Sequence, residues 1–357
     1  MVNIMAKIII LGLFAVGIAF AQPSIPSGAV AYANLTLNES WSSIASQYVQ
    51  QNITLNESNY TSYINYNGSI ANFEFTYANG TVIPSWIESN QSNQTLVWLN
   101  ITNTTTNVYL DFFNMTTNML NSTGTSGIGE APQLSSTYAE YDDGASVFNY
   151  YQRWGGLSAL PTNWETIGNS GQTPVVTFNS IYTNIEPTST VAWQGVALPS
   201  AYYPSSFSAG NVIDMYGEIY QGSTVNSQPI VGFDGWSGPG TNFDTLMFGA
   251  MGYGPTLSSS PTYGIGVSGY SNWGSTGLTE TTNNQVYSLS YLSAASFGMQ
   301  VNYANPVIET VGSQANPNNY FLFGVAYIGD IANVYWLRTR AYPPNGVMPS
   351  ASFSSLS

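Results

Sequence analysis

The sequence predicts an all-β protein in two units, a small N-terminal β-sandwich followed by a jelly-roll sandwich. Three observations carry that expectation. Pro and Gly punctuate short runs rich in Val, Ile, Tyr, Phe, Trp and Thr. Apolar residues alternate within the runs instead of recurring roughly every 3.6 residues. The asparagines change character once, at residue 121. In the first half the alternating runs are Tyr48 to Leu55, Ala71 to Tyr77, Leu96 to Ile101 and Val108 to Phe113, with turn signals at Asn67-Gly68 and Asn79-Gly80. Asn59 to Asn65 reads as a short helical turn. The second half carries Val175 to Phe178, Val191 to Leu198, Val212 to Tyr220, Ile230 to Phe233, Thr245 to Ala250, Gly264 to Gly269, Val286 to Leu292, Ser296 to Tyr303, Tyr320 to Tyr327 and Val334 to Tyr342. Ten short strands at near-regular spacing suggest a jelly roll. A Ser/Thr/Gly/Pro-rich passage separates the halves. The expected organisation is an N-terminal domain over 22–121, a linker over 122–136, a jelly-roll domain over 137–345 that folds alone, and a polar tail over 346–357.

Thirteen of the seventeen asparagines between Gln22 and Asn121 begin Asn-x-Ser/Thr sequons, whereas none of the eighteen after Asn121 does. They are Asn34, Asn38, Asn52, Asn56, Asn59, Asn67, Asn79, Asn90, Asn93, Asn100, Asn103, Asn114 and Asn121. An acceptor site matters only where a glycosylating enzyme reaches it, outside the cytosol. The N-terminus agrees. Lys7, the apolar run Ile8 to Ile18 and Ala19-Phe20-Ala21 form a secretory signal over residues 1–21, cleaved before Gln22. Its apolar part falls short of the roughly 20 residues that span a bilayer, which argues against an uncleaved anchor, and since no later stretch approaches a span, no transmembrane span is expected after signal removal. An extracellular, cell-surface location follows as the expectation.

Composition excludes much chemistry. There is no Cys and no His, which removes Ser-His-Asp and Cys-His catalysis and ordinary zinc or copper sites. Beyond the signal the cations are Arg153, Arg338 and Arg340. Nucleic-acid binding, which needs clustered Lys and Arg, is excluded. The net charge is −14, yet charged residues make up only 6% of the chain, so solubility rests on amides and hydroxyls that do not titrate. An acidic exterior suits such a surface.

Two sets of residues resemble known families. The passage Ala71-Asn72-Phe73-Glu74-Phe75-Thr76, Val82-Ile83-Pro84-Ser85-Trp86-Ile87-Glu88, Leu96-Val97-Trp98-Leu99 and Val108-Tyr109-Leu110-Asp111-Phe112-Phe113 resembles a domain of unknown function of archaeal and bacterial surface proteins, marked by a Pro-x-Trp-Ile-Glu pattern. Members of that family are often followed by a concanavalin A-like lectin/glucanase domain. Tyr141-Asp142-Asp143-Gly144, with Trp154 or Trp164 beyond, resembles its opening, and Asp330 to Arg340 its closing strand.

That second resemblance implies a glycoside hydrolase as one possibility, but the paired-carboxylate Glu-x-Asp-x-x-Glu run is absent. The nearest pair, Asp214 and Glu218, would lie about 13 Å apart on a strand, too far for hydrolysis. No enzyme is expected. Glycan binding fits better. The tight loops Phe233 to Asp244 and Tyr270 to Gly274 would project Trp236, Trp273 and Tyr270 beside Asp234 and Asn242. No cofactor is required. Asp142, Asp143 and Asp330 would meet at the ends of the sandwich, where related sandwiches hold a structural calcium. Arg338 and Arg340 share a face of the last strand with Val334 and Trp336 and read as structural, as does Arg153. The expected protein is a secreted, non-catalytic cell-surface glycoprotein for display or adhesion, with envelope glycans or surface proteins as partners. A purely structural envelope component and a divergent glycoside hydrolase are the alternatives.

Overall fold

The computed structural model describes residues 23–38, 40–168, 172–188, 194–220, 230–234, 245–251, 262–267, 273–279, 281–293, 296–310, 320–325 and 328–357. The signal segment lies outside them. The described residues are nearly all β, arranged in four sheets.

In the N-terminal half, β1 (Ala31–Leu37), β2 (Tyr48–Asn56), β3 (Phe73–Thr76), β4 (Ser85–Gln91), β5 (Gln94–Thr102), β6 (Asn107–Phe112) and β7 (Gly129–Glu130) form two small sheets. One runs β2-β5-β4-β7, and the other has β1-β6-β3 as its core. Alternation makes the sandwich. In β1, Ala31, Ala33, Leu35 and Leu37 are buried while Tyr32, Asn34 and Thr36 face outward. The inward set meets Val49, Ile53, Val97 and Leu99 of the facing sheet in one core. The β4–β5 hairpin closes through Ser92 and Asn93, both at positive φ, as a tight two-residue hairpin turn requires.

The C-terminal half holds β8 (Tyr150–Arg153), β9 (Glu165–Gly168), β10 (Val175–Phe178), β11 (Thr183–Glu186), β12 (Gln194–Pro199), β13 (Asn211–Tyr220), β14 (Ile230–Asp234), β15 (Thr245–Met251), β16 (Thr262–Val267), β17 (Trp273–Thr279), β18 (Gln285–Ser293), β19 (Ser296–Val301), β20 (Val307–Thr310), β21 (Tyr320–Val325) and β22 (Ile331–Ala341). An eight-stranded sheet runs β10-β11-β22-β13-β18-β19-β20, with β8 also on β22, and a seven-stranded sheet runs β17-β16-β15-β14-β21-β12-β9. All these pairings are antiparallel. Both sheets contribute to a single core that includes Trp154, Ile213, Leu289, Phe321 and Leu337. This is the expected β-sandwich.

Two segment boundaries differ from expectation. Within the polar tail expected over 346–357, β23 (Ala351–Phe353) pairs with the edge of β1 and Phe353 packs against the N-terminal core. The supposed linker contains Ile128, Gly129, Glu130 and Ala131, all buried, with β7 parallel to β4. The short helix is a 3-10 turn at Glu57–Asn59, just before the expected Asn59–Asn65.

The two sandwiches touch face to face. The outer face of β2-β5-β4-β7 lies on the outer face of the eight-stranded sheet, with Trp86, Trp98, Phe148, Val286 and Trp336 buried between. A register shift opposite Tyr216 and Gly217 makes Tyr335 an extra residue in β22. Before it, Ala332 and Val334 face the C-terminal core, which they share with Leu337 beyond it. After it, Trp336, Arg338 and Arg340 turn toward the N-terminal sandwich. Val334 is therefore not in line with the arginines as simple alternation predicts, since one inserted residue reverses the faces.

Candidate functional site

At that interface the chain gathers two of its arginines. Arg338 is fully buried, its guanidinium 4.3 Å from the Phe148 ring centre, 4.5 Å from Trp98 and 4.6 Å from Trp336. Its Nε donates to Asp214 Oδ2 at 3.0 Å and its Nη2 to Glu88 Oε2 at 2.7 Å. Arg340 Nε donates to the same Asp214 oxygen at 2.9 Å. Trp98 Nε1 donates to Glu88 at 2.6 Å, and the Tyr303 hydroxyl donates to Glu88 at 2.7 Å. Two cations thus meet two carboxylates, so the cluster is neutral and desolvation is offset by close pairing. Burial pushes the Asp214 carboxyl up, but Arg340 and Arg338 outweigh it and hold it below the usual range. The structural reading of these arginines holds.

Above this cluster a cleft of about 720 Å³ opens between the β4–β5 hairpin and the edge formed by β13, β18 and the turn after β19. Its walls include the amides of Asn52, Asn90, Gln94, Gln133, Asn284 and Asn302, the rings of Tyr216 and Tyr303, and the apolar Leu96, Leu134 and Val286. Among the described residues that line it, Glu88 is the one carboxylate and none is a cation. Tyr216 stacks on Trp336 at 5.3 Å, which fixes its ring at the rim. Gln133 Oε1 is buried with no hydrogen-bond partner among the described residues. Such a wall offers many neutral donors and acceptors beside rigid aromatic rings. That chemistry suits an uncharged polyhydroxylated ligand, whose hydroxyls match amides and whose C–H faces lie on rings.

The sequence-predicted loop site is only partly placed. Trp236, Asn242 and Tyr270 lie outside the described residues. Asp234 ends β14 and Trp273 begins β17, and the registers through β15 and β16 put both backbones at the same end of the seven-stranded sheet.

The proposed calcium ligands are not assembled. Asp142 accepts from Trp86 Nε1 at 3.2 Å, Tyr151 Oη at 3.0 Å and the Gly144 amide at 3.3 Å, and faces Arg153 at 3.9 Å. Asp143 accepts from Ser146 Oγ at 2.5 Å. Asp330 is buried. Among the described residues no group of three acidic side chains is placed to hold a metal. Asp142 is engaged by donors that a cation would have to displace, whereas Asp143 Oδ2 is buried with no hydrogen bond among the described residues. Asp214 and Glu218 are also occupied, the first by arginines and the second by Asn333 Nδ2 at 2.9 Å.

Sequence reasoning missed the cleft because its lining comes from segments scattered along the chain. One signal was present. The Pro84-Ser85-Trp86-Ile87-Glu88 motif supplies both Trp86 and Glu88 to the interface.

No family model matches the chain. It is 28% identical over 311 residues to "Uncharacterized protein 562" of Sulfolobus islandicus rod-shaped virus 1, a match covering 76% of this chain and 50% of that protein. The chain thus spans about half the length of that relative. Similar solved structures include the calcium-bound VIP36 exoplasmic/lumenal domain, with a TM-score of 0.37 and 12% identity over 58% of this chain and 98% of that one. A β-1,3-glucanase from Mycobacterium marinum gives 0.37 and 10% over 54% and 98%. Similarity at this level assigns neither ligand nor activity. Among the described residues no helix is long and apolar enough to cross a membrane.

Proposed function

We propose that this chain is an exported, non-enzymatic surface glycoprotein for display or adhesion, and that its interfacial cleft holds a neutral glycan. The observation that carries this reading is the cleft's lining of amides and tyrosines with no cation among its described residues. The non-catalytic part is supported by the state of the acids. Glu88 and Asp214 are committed to Arg338 and Arg340, which leaves neither free as a general acid or base.

Unglycosylated protein is expected to bind neutral oligosaccharides in an array saturably, without releasing reducing sugar. Tyr216→Ala, which removes the rim ring, should weaken binding by about 1–2 kcal/mol, roughly 5- to 30-fold. Undiminished binding in that variant would move the site elsewhere, and sugar release would favour the hydrolase.

The acceptor role is supported by exposure, since none of the thirteen sequon asparagines is buried. Asn38, Asn59, Asn67, Asn79, Asn93 and Asn114 are exposed, and Asn93 sits on the hairpin turn. Asn34 and Asn100 both bury Oδ1, and Asn100 is held further because its Nδ2 donates to the Ser146 carbonyl at 3.1 Å. Glycopeptide mapping of native protein should find sugar at the exposed group and least at Asn100. Full occupancy of Asn100 with bare exposed sites would contradict this.

A further inference from the structure

We infer that the resident ligand of the cleft is the chain's own N-linked glycan, attached at Asn52. The inference rests on the reading of the cleft as a glycan site. Three hollows meet at this residue. Asn52 lines the main cleft, a second hollow of about 260 Å³ bounded by Gln300, Asn305 and Arg340, and a third of about 290 Å³ bounded by Met348 and Ser350.

Strand geometry aims the acceptor there. In Asn52-Ile53-Thr54 of β2, alternation buries Ile53 in the N-terminal core and turns Asn52 and Thr54 together into the main cleft. Both residues that define the sequon are thus presented to the space the sugar would fill.

The other acceptor on the cleft wall is placed differently. Asn90 donates its Nδ2 to Glu57 Oε1 at 2.9 Å, whereas no hydrogen bond engages the Asn52 side chain among the described residues. A sugar on Asn52 would start at the junction of the two sandwiches, with Tyr303 and Asn302 on the C-terminal side and Gln94 and Asn90 on the N-terminal side. Because the attachment is covalent, its local concentration greatly exceeds that of any free oligosaccharide. It would bridge the sandwiches and keep the cleft closed to outside glycans.

The test compares natively produced wild type with Asn52→Gln and Thr54→Ala, which delete the sequon in two ways, and with Asn67→Gln as an exposed control. Glycopeptide mapping, melting and neutral-oligosaccharide array binding are read on each. The expected result is an occupied Asn52, array binding that appears in both sequon variants but not in wild type, and a Tm lower by a few degrees in those two alone. An unoccupied Asn52, or equal array binding by wild type and both variants, overturns the inference and leaves the cleft reading standing. Absence of binding in every form, with unchanged Tm, overturns both.

Discussion

Replacing Arg338 with Met is expected to destabilise the protein by about 3–5 kcal/mol. The guanidinium sits with no exposed surface between Glu88 of the N-terminal sandwich and Asp214 of the C-terminal one. Removing it leaves Glu88 buried with only Trp98 and Tyr303 as donors and leaves Asp214 to Arg340 alone. It also removes a cation from four aromatic rings, a contact worth about 0.5–2 kcal/mol in a desolvated setting. Arg338→Lys should fall between, because an ammonium cannot bridge both carboxylates in the plane of the guanidinium fork. Adding Glu88→Gln to Arg338→Met should recover part of the loss by deleting one stranded charge. Urea unfolding reads all three, and a loss under about 1 kcal/mol for Arg338→Met would show that the cluster does not hold the sandwiches together. By the same argument a fragment over 137–345, stripped of Trp86, Trp98 and Glu88, should be much less stable than the whole chain.

Stability is expected to rise as pH falls from 7 toward 4, and to be at least as high at pH 3 as at pH 7. Burial pushes up the carboxyls of Glu74, Asp111, Glu130 and Asp142, and lifts Asp143 to about 6. A carboxyl whose folded value lies above its unfolded one costs stability when ionised, and that cost is relieved as pH falls through the folded value. For Asp143 the window runs from about pH 6 to about pH 4, on the order of 2 kcal/mol. Asp214 acts oppositely. Its carboxyl is held low by Arg340 and Arg338, so its contribution is present at neutral pH and is lost only once pH drops through that depressed value. Melting curves from pH 7 to 3 check the balance, and Asp143→Asn should flatten the rise between pH 6 and 4. A steep loss by pH 4 would contradict it. Chelator should leave the curves unchanged, given the donors that engage Asp142.

Much of the fold was legible because alternation survives in single strands. The expected runs from Val175 to Tyr342 coincide with β10, β12–β16, β18, β19, β21 and β22. β1 is absent from the expected runs, although Ala33, Leu35 and Leu37 alternate with the polar Asn34 and Thr36. β23 hid in a polar segment, since an edge strand needs backbone pairing more than apolar side chains. The bulge at Tyr335 left no mark in composition. The arginines were recognised as structural, but their partners were not, because Glu88 and Arg338 stand 250 residues apart. The cleft was illegible for the same reason, as its amides are ordinary surface residues until two sheets bring them together.

The central claim is that the junction of the sandwiches is a glycan site. A density map of the natively glycosylated protein tests it most directly. The account predicts ordered sugar density in the cleft, leaving Asn52 and running past Tyr303 and Asn302 toward the β4–β5 hairpin. A cleft holding only water, with ordered sugar confined to exposed acceptors such as Asn67 and Asn79, would contradict it.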